Sequence, residues 1–356
     1  MSDEPPRRPS HADWLRLVAP RLDRALAPPT SLVPWFETAR DLPADGPAVL
    51  EVGLGPGAAS SVDFSWRLAN PSRSTSSLHC FPSHPSLAFL TDGWSSLGHP
   101  EPISAVWLEL DAPEGPAGRE GPAGTPTLPM VIPRLAGRVD PEWLAEGLVP
   151  ALRIDAAEDP AYRRAVARAV AAIPEPGRVL YVFSLAARGR AGSRLETVGL
   201  PVAQMPEVLA QLGADRGARQ IEGVAALASG VDRPHLSFDL DPISGGARVG
   251  ERIGLELGFR RQPDREPGWD RLLDRLERAG LCTAEQRRAL LAWCGSEHLR
   301  SAGDRWPTGA RGHCLCCLSH LKLVLRHGAA LEAKAYLLFE NFVPPRWETA
   351  EVSAAD

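Results

Sequence analysis

Two segments near the end of the chain alternate apolar and polar residues with a period of two. Leu321, Leu323 and Leu325 share their parity with Ala333, Ala335, Leu337 and Phe339, while the even positions carry His320, Lys322, Lys334 and Tyr336. Such a period predicts strands over 318–325 and 332–339. His327-Gly328-Ala329 between them predicts a tight turn, with glycine supplying a positive φ. Because both apolar faces are odd-numbered, they coincide only if paired residue numbers sum to an even value. The short-loop register joins Arg326 to Ala330, and so sets Lys322 opposite Lys334 and His320 opposite Tyr336, with Cβ atoms roughly 5 Å apart.

The rest of the chain alternates between this period and that of a helix. Trp14, Leu15, Val18, Leu22 and Leu26 predict a helix over 11–26. Strands are expected at 48–52, 62–68 and 106–111, with Pro/Gly/Ser-rich loops over 69–103 and 113–129. Helices follow over 141–152 and 159–173, the second with Asp159 as N-cap and Pro160 in its first turn. Then come strands 178–185 and 194–200, helices 204–212 and 218–229, strands 235–240 and 252–259, and helices 268–279 and 283–294. A loop over 295–312 leads to the final hairpin. The order is a repeated ββαα unit. Strands joined by short turns pair antiparallel, and repeated units of this kind twist into a sheet able to close on itself with helices outside. The expected fold is therefore α/β: a closed or nearly closed antiparallel barrel over 11–345, between disordered ends at 1–10 and 346–356.

Composition narrows the partners. The formal charge is −5, which gives no electrostatic basis for nucleic-acid binding. No apolar run approaches the roughly 20 residues of a membrane span, and the first residues lack the apolar core of a signal peptide. A cytoplasmic protein is expected. Of the 39 lysines and arginines only Lys322 and Lys334 are lysines. Like charges facing each other across a ladder repel, so an anion between these two would relieve the pair, with His320 and Tyr336 as further donors. A solvated face on which lysines discourage edge pairing is the alternative.

Two local motifs point elsewhere. Val49-Leu50-Glu51-Val52-Gly53-Leu54-Gly55-Pro56-Gly57 looks like the first motif of class I methyltransferases, a strand running into a glycine turn that cradles S-adenosylmethionine. That motif needs a helix after Gly57, yet Val62–Leu68 alternates as a strand. His313-Cys314-Leu-Cys316-Cys317 with His320 invites zinc. Cys314, Cys316 and His320 share a face on a regular strand, but the spacing is not that of usual zinc ligands, and buried free thiols are the favoured reading because cysteine behaves as a small hydrophobe. Serine-hydrolase, zinc-protease and phosphate-loop motifs are missing from the sequence.

One face of the strands is polar throughout: Asp63, Ser65 and Arg67; Trp107, Glu109 and Asp111; His235, Ser237 and Asp239; Gly254 and Glu256; then the hairpin's His320, Lys322, Lys334 and Tyr336. A barrel with such a lumen, repeated ββαα units and Lys334-Ala-Tyr336 on a strand resembles the ABBA-type prenyltransferases, aromatic or of the cyanobactin peptide type. The resemblance implies transfer of an allylic group from a diphosphate donor to an aromatic small molecule or a peptide side chain in natural-product (RiPP-type) biosynthesis. It implies that Arg67, His320, Lys322, Lys334 and Tyr336 grip the diphosphate. It implies Glu109 as the acceptor-side carboxylate, with Trp107, His235, Asp239 and Glu256 lining the acceptor and prenyl pocket. The chain departs from the aromatic members in having only three tyrosines, and its lumen is rich in acids, which leaves room for Mg2+ although no metal ligand set is assigned. A methyltransferase using Gly53, Gly55 and Gly57, and a non-catalytic peptide-binding barrel, are the alternatives.

Overall fold

The computed structural model describes residues 9–42, 44, 46–58, 61–68, 87, 89, 90, 102–112, 129–298 and 313–342. Within them eleven strands form one sheet: β1 (Ala48–Leu54), β2 (Val62–Leu68), β3 (Ile103–Leu110), β4 (Met130–Leu135), β5 (Arg178–Ser184), β6 (Ser193–Val198), β7 (Arg233–Ile243), β8 (Gly246–Gly258), β9 (Gly295–His298), β10 (His313–Arg326) and β11 (Glu332–Phe342). Neighbours in sequence are neighbours in space, except that β9 lies outside β10. The β10–β11 and β11–β1 ladders close the remaining ten strands into an antiparallel barrel. Closure abolishes the open edges that a ten-stranded sheet would expose.

Helices cover the outside: α1 (His11–Val18), α2 (Val33–Thr38), α3 (Pro160–Ala171), α4 (Met205–Gln211), α5 (Asp215–Val224), α6 (Gly268–Arg278) and α7 (Ala284–Trp293). The expected caps are in place. Asp159 accepts from the Ala161 N–H at the start of α3, and Thr283 forms a capping box with Gln286 on α7. Ser10 caps α1 in the same way, so ordered structure begins before His11. The predicted helix over 141–152 is a π-helical segment, Trp143–Leu148, running into Val149–Ala151.

The main core lies between the barrel's outer face and this helical layer. Leu321, Leu323, Leu325, Ala333, Ala335, Leu337 and Phe339 all point into it. The hairpin adopts the predicted register, with Lys322 paired to Lys334 and His320 to Tyr336. Every ladder is antiparallel, which excludes the parallel sheet a class I methyltransferase requires. The glycine turn after β1 is docked onto α7, where the Gly55 N–H donates to Gln286 Oε1 at 2.8 Å.

Two strands went unread in the sequence. β4 contains Pro133, a residue that argues against an interior strand, and it meets β5 through a single residue pair, Arg134 with Tyr181. β9 falls in the stretch expected to be loop and pairs with the first four residues of β10, His313 to Cys316. The predicted loop segments 69–86, 91–101, 113–128 and 299–312, and the ends at 1–8 and 343–356, lie outside the described residues.

Candidate active site

The barrel encloses a cavity of about 220 Å3 bounded by two unlike walls. On β3, β4 and β5 the inward residues are Trp107, Ile132, Tyr181 and Phe183. With Met130 and Leu185 they form a small apolar cluster separate from the main core. Facing them, β1, β6, β8, β10 and β11 contribute Glu51, Arg194, Glu196, Arg252, Glu256, His320, Lys322 and Tyr336. Arg188 and Glu109 add to the lining, as do Val49, Ser65, Ser319 and Leu338. Alternation at period two is what sends these side chains inward while their neighbours enter the main core.

The charges are organised in pairs. Lys322 Nζ donates to Glu256 Oε1 at 2.7 Å, both side chains being almost fully buried. Lys334 donates to Glu51 and stands 3.9 Å from Asp63. Arg188 bridges Glu109 at 2.7 Å and Asp111 at 2.6 Å, and Arg194 Nε donates to Asp239 at 2.6 Å. His235 Nδ1 lies 3.0 Å from Glu196 Oε1 and 3.7 Å from Glu256 Oε2. The His320 ring stacks on Tyr336, centroids 4.0 Å apart. Gly254 leaves room for the Lys322 side chain: a Cβ there would sit 2.3 Å from Ser237 Oγ and 2.5 Å from Lys322 Cε.

Burial and pairing set the protonation states. Burial works against ionising Glu51, but Lys334 outweighs it and holds the carboxyl below its usual range. Burial followed by Glu51 pushes Asp63 up to about 8. Glu109 is also raised, burial exceeding the attraction of Arg188. Burial lowers His320 to about 4, which leaves its ring neutral at pH 7. Glu51 is thus the ionised acceptor of hydrogen bonds in the lumen, with the Tyr336 hydroxyl as a lesser influence that also lowers it.

Several donors in the cavity wall have nothing to donate to. Arg194 Nη2, Arg188 Nη1 and Trp107 Nε1 are buried without a hydrogen-bond partner among the described residues. Arg252 makes neither hydrogen bond nor salt bridge there, and burial with Arg194 and Arg188 nearby depresses its pKa. A guanidinium whose charge is disfavoured by other guanidiniums marks a region of excess positive potential. Buried N–H groups in that state cost free energy unless an acceptor is supplied.

Of the residues singled out in the sequence, Trp107, Glu109, Glu256, His320, Lys322 and Tyr336 line the cavity. Lys334, His235 and Asp239 sit one step behind it, each bonded to a charged partner. Arg67 pairs across to Trp107 and lies outside the cavity lining. Cys314 and Cys316 do not share a face with His320, because a bulge between Leu318 and His320 reverses the alternation. The thiols enter the main core and the imidazole enters the lumen. Glu51, Arg188, Arg194, Glu196 and Arg252 were not singled out. Parity alone marked Arg194, Glu196 and Arg252, each inward in phase with its strand. Arg188 lies in a turn and carried no signal.

No family model matches the sequence, and no curated protein matches it. Among solved structures, the chain is similar to the prenyltransferase PriB in ternary complex with L-tryptophan and dimethylallyl thiolodiphosphate. The two share 13% identity over 94% of this chain and 99% of that one, with a TM-score of 0.51. It is similar to PriB in binary complex with product diphosphate at 14% identity, covering 92% and 95%, also with a TM-score of 0.51. The likeness is one of fold: the chain has the ABBA-type prenyltransferase barrel, as the ββαα rhythm led one to expect.

Proposed function

We propose that the protein transfers an allylic group from a diphosphate donor to an aromatic acceptor inside the barrel. The observation that carries this reading is the pairing of unsatisfied buried guanidinium donors with an aromatic wall around one small cavity. The diphosphate is held by Arg188, Arg194 and Arg252, with Lys322, His320 and Tyr336 beside them. Arg252 has no carboxylate to give up, so it contributes most cleanly. The allyl group lies on Trp107, Ile132, Tyr181 and Phe183. Breaking its C–O bond creates an allylic cation and releases diphosphate; π faces stabilise the cation and exclude water, while the arginines stabilise the departing anion.

The acceptor's ring attacks the cation, and the proton lost from the resulting arenium ion passes to Glu51 or to the released diphosphate. Glu51 is better suited than Glu109 to accept a hydrogen bond from the acceptor, since Lys334 keeps it ionised. Lys334 and Tyr336 thereby serve the acceptor side through Glu51, and Arg67 is left a peripheral part. A cavity of about 220 Å3 takes a five-carbon donor, with the acceptor ring entering from the mouth. That geometry suits a free aromatic molecule or an aromatic side chain carried on a peptide, consistent with a place in cytoplasmic natural-product or RiPP biosynthesis.

The test is incubation with dimethylallyl diphosphate and a panel of indoles, phenols and aromatic peptides, followed by mass spectrometry. A gain of one C5 unit, with donor affinity at least ten-fold weaker in Arg252→Met, is expected. A folded protein that neither binds the diphosphate nor alkylates any acceptor overturns the reading.

A further inference from the structure

Within the charged wall, three strands bring a carboxylate, an imidazole and a second carboxylate to one point. Glu196 on β6, His235 on β7 and Glu256 on β8 place one ligating atom each within 4.8 Å of the others. His235 Nδ1 is 3.0 Å from Glu196 Oε1 and 3.7 Å from Glu256 Oε2. Metal bonds of about 2.1 Å hold neighbouring ligand atoms roughly 3 to 3.5 Å apart, so these separations bracket what a shared ion requires. Glu196 and Glu256 are both almost fully buried.

The surroundings orient these atoms. Lys322 engages Oε1 of Glu256 at 2.7 Å, which turns Oε2 toward the imidazole and leaves one oxygen available as a ligand. His320 Nε2 lies 3.5 Å from the same Oε2, while its Nδ1 is in hydrogen-bond contact with Ser319 Oγ at 3.1 Å. A neighbour on the far ring nitrogen is the usual way a liganding imidazole is fixed. The far nitrogen of His235, Nε2, is buried without a partner among the described residues, so this ring is placed by its contacts with the two carboxylates alone.

We propose that Glu196, His235 and Glu256 form a binding site for a first-row divalent transition ion, with His320 as a fourth ligand within reach. An imidazole among carboxylates favours Mn2+, Fe2+, Co2+ or Zn2+ over the all-oxygen preference of Mg2+. The three ligands stand on adjacent rungs of the β6–β7–β8 ladders, in which Ser237 faces Glu196 and His235 faces Glu256. Two of them line the cavity, so an ion held there would be reached from the lumen. The site stands independently of the prenyl-transfer reading, and binding is measured without any donor.

The experiment titrates the full chain with Mn2+, followed by electron paramagnetic resonance, and with Co2+, followed by visible absorption. One equivalent should bind, with nitrogen and oxygen donors and no thiolate-to-cobalt charge-transfer band. Glu196→Gln keeps the shape and removes one charge; it should weaken Mn2+ binding at least ten-fold, and His235→Phe should do so as well. X-ray absorption on the Co2+-loaded wild-type protein tests the ligand set even if a variant misfolds: it should show imidazole scattering and no sulfur. Absence of stoichiometric binding, a thiolate band placing the ion at the cysteines, or unchanged affinity in the folded Glu196→Gln protein would each overturn the assignment.

Discussion

The two walls of the lumen are built on different principles. The charged wall rests on long ladders: β7 with β8, β8 with β10, and β10 with β11 each pair over six or more residues. The apolar wall stands on the seam between β4 and β5, where a single residue pair joins the strands. Charged groups in a low-dielectric interior must be held to within fractions of an ångström, because their energies change steeply with distance. Apolar side chains require only that the space be filled. Backbone order has been concentrated where electrostatics demands it. The largest effects of mutation should therefore come from the charged wall, and effects on donor size from the apolar one.

Arg194→Leu is the severest test. Asp239 is fully buried, and losing Arg194 leaves it with Arg190 alone, on a partly exposed side chain. Breaking a buried pair costs about 3–5 kcal/mol, and a large fall in urea midpoint is expected. A change under about 1 kcal/mol would show that the pair is not structural. Glu51→Gln should leave the fold intact but slow transfer by about 10²-fold at saturating donor, the range of a general acid–base contribution. Glu109→Gln should cost less; the opposite ranking of the two kcat values would return the acceptor-side role to Glu109.

Across the cavity, Phe183→Ala should act on specificity. The ring lies under the Arg194 guanidinium at 5.8 Å and forms part of the apolar cluster. Its loss should slow transfer of the five-carbon group by about ten-fold, the scale of one desolvated cation–π contact, while easing entry of a ten-carbon donor. Competition between dimethylallyl and geranyl diphosphates measures this. An unchanged ratio would mean that the allyl group does not lie on this wall.

The hairpin shows how far the sequence could be read. Two residue parities and one glycine turn were enough to derive the register that pairs Lys322 with Lys334, because a ladder with one buried face tolerates no slip. What parity could not supply is how the charges would be neutralised. Lys322 and Lys334 were read as a mutually repelling pair in need of an anion, yet each is bonded to a glutamate from a different neighbouring strand, Glu256 on β8 and Glu51 on β1. Such contacts join residues 66 and 283 positions apart and depend on barrel closure. The arginine cluster escaped for the same reason, and Arg188 doubly so, since a turn has no periodicity to read. The bulge before His320 is a single inserted residue that moves one imidazole from the core to the lumen.

Asp63 gives an effect that is read in pH. Burial and the neighbouring Glu51 raise its pKa from an ordinary 3.8 to about 8, against Lys334 at 3.9 Å. A group that holds its proton more tightly when folded contributes stability that is complete below its unfolded pKa. That stability is lost as the pH rises through the folded value. Wild-type protein should therefore lose stability between about pH 4 and pH 8 through this residue, and Asp63→Asn should reduce the loss. The Ala112 N–H that Asp63 accepts at 2.7 Å retains an acceptor in the amide oxygen, so the substitution should be tolerated. Urea melts of both proteins at pH 5.5 and 8.5 compare the two gaps. A narrower gap in the variant places a titrating proton beside the Glu51–Lys334 pair. Equal gaps would mean that Asp63 is already ionised across that range, with Lys334 shared between two anions rather than committed to Glu51.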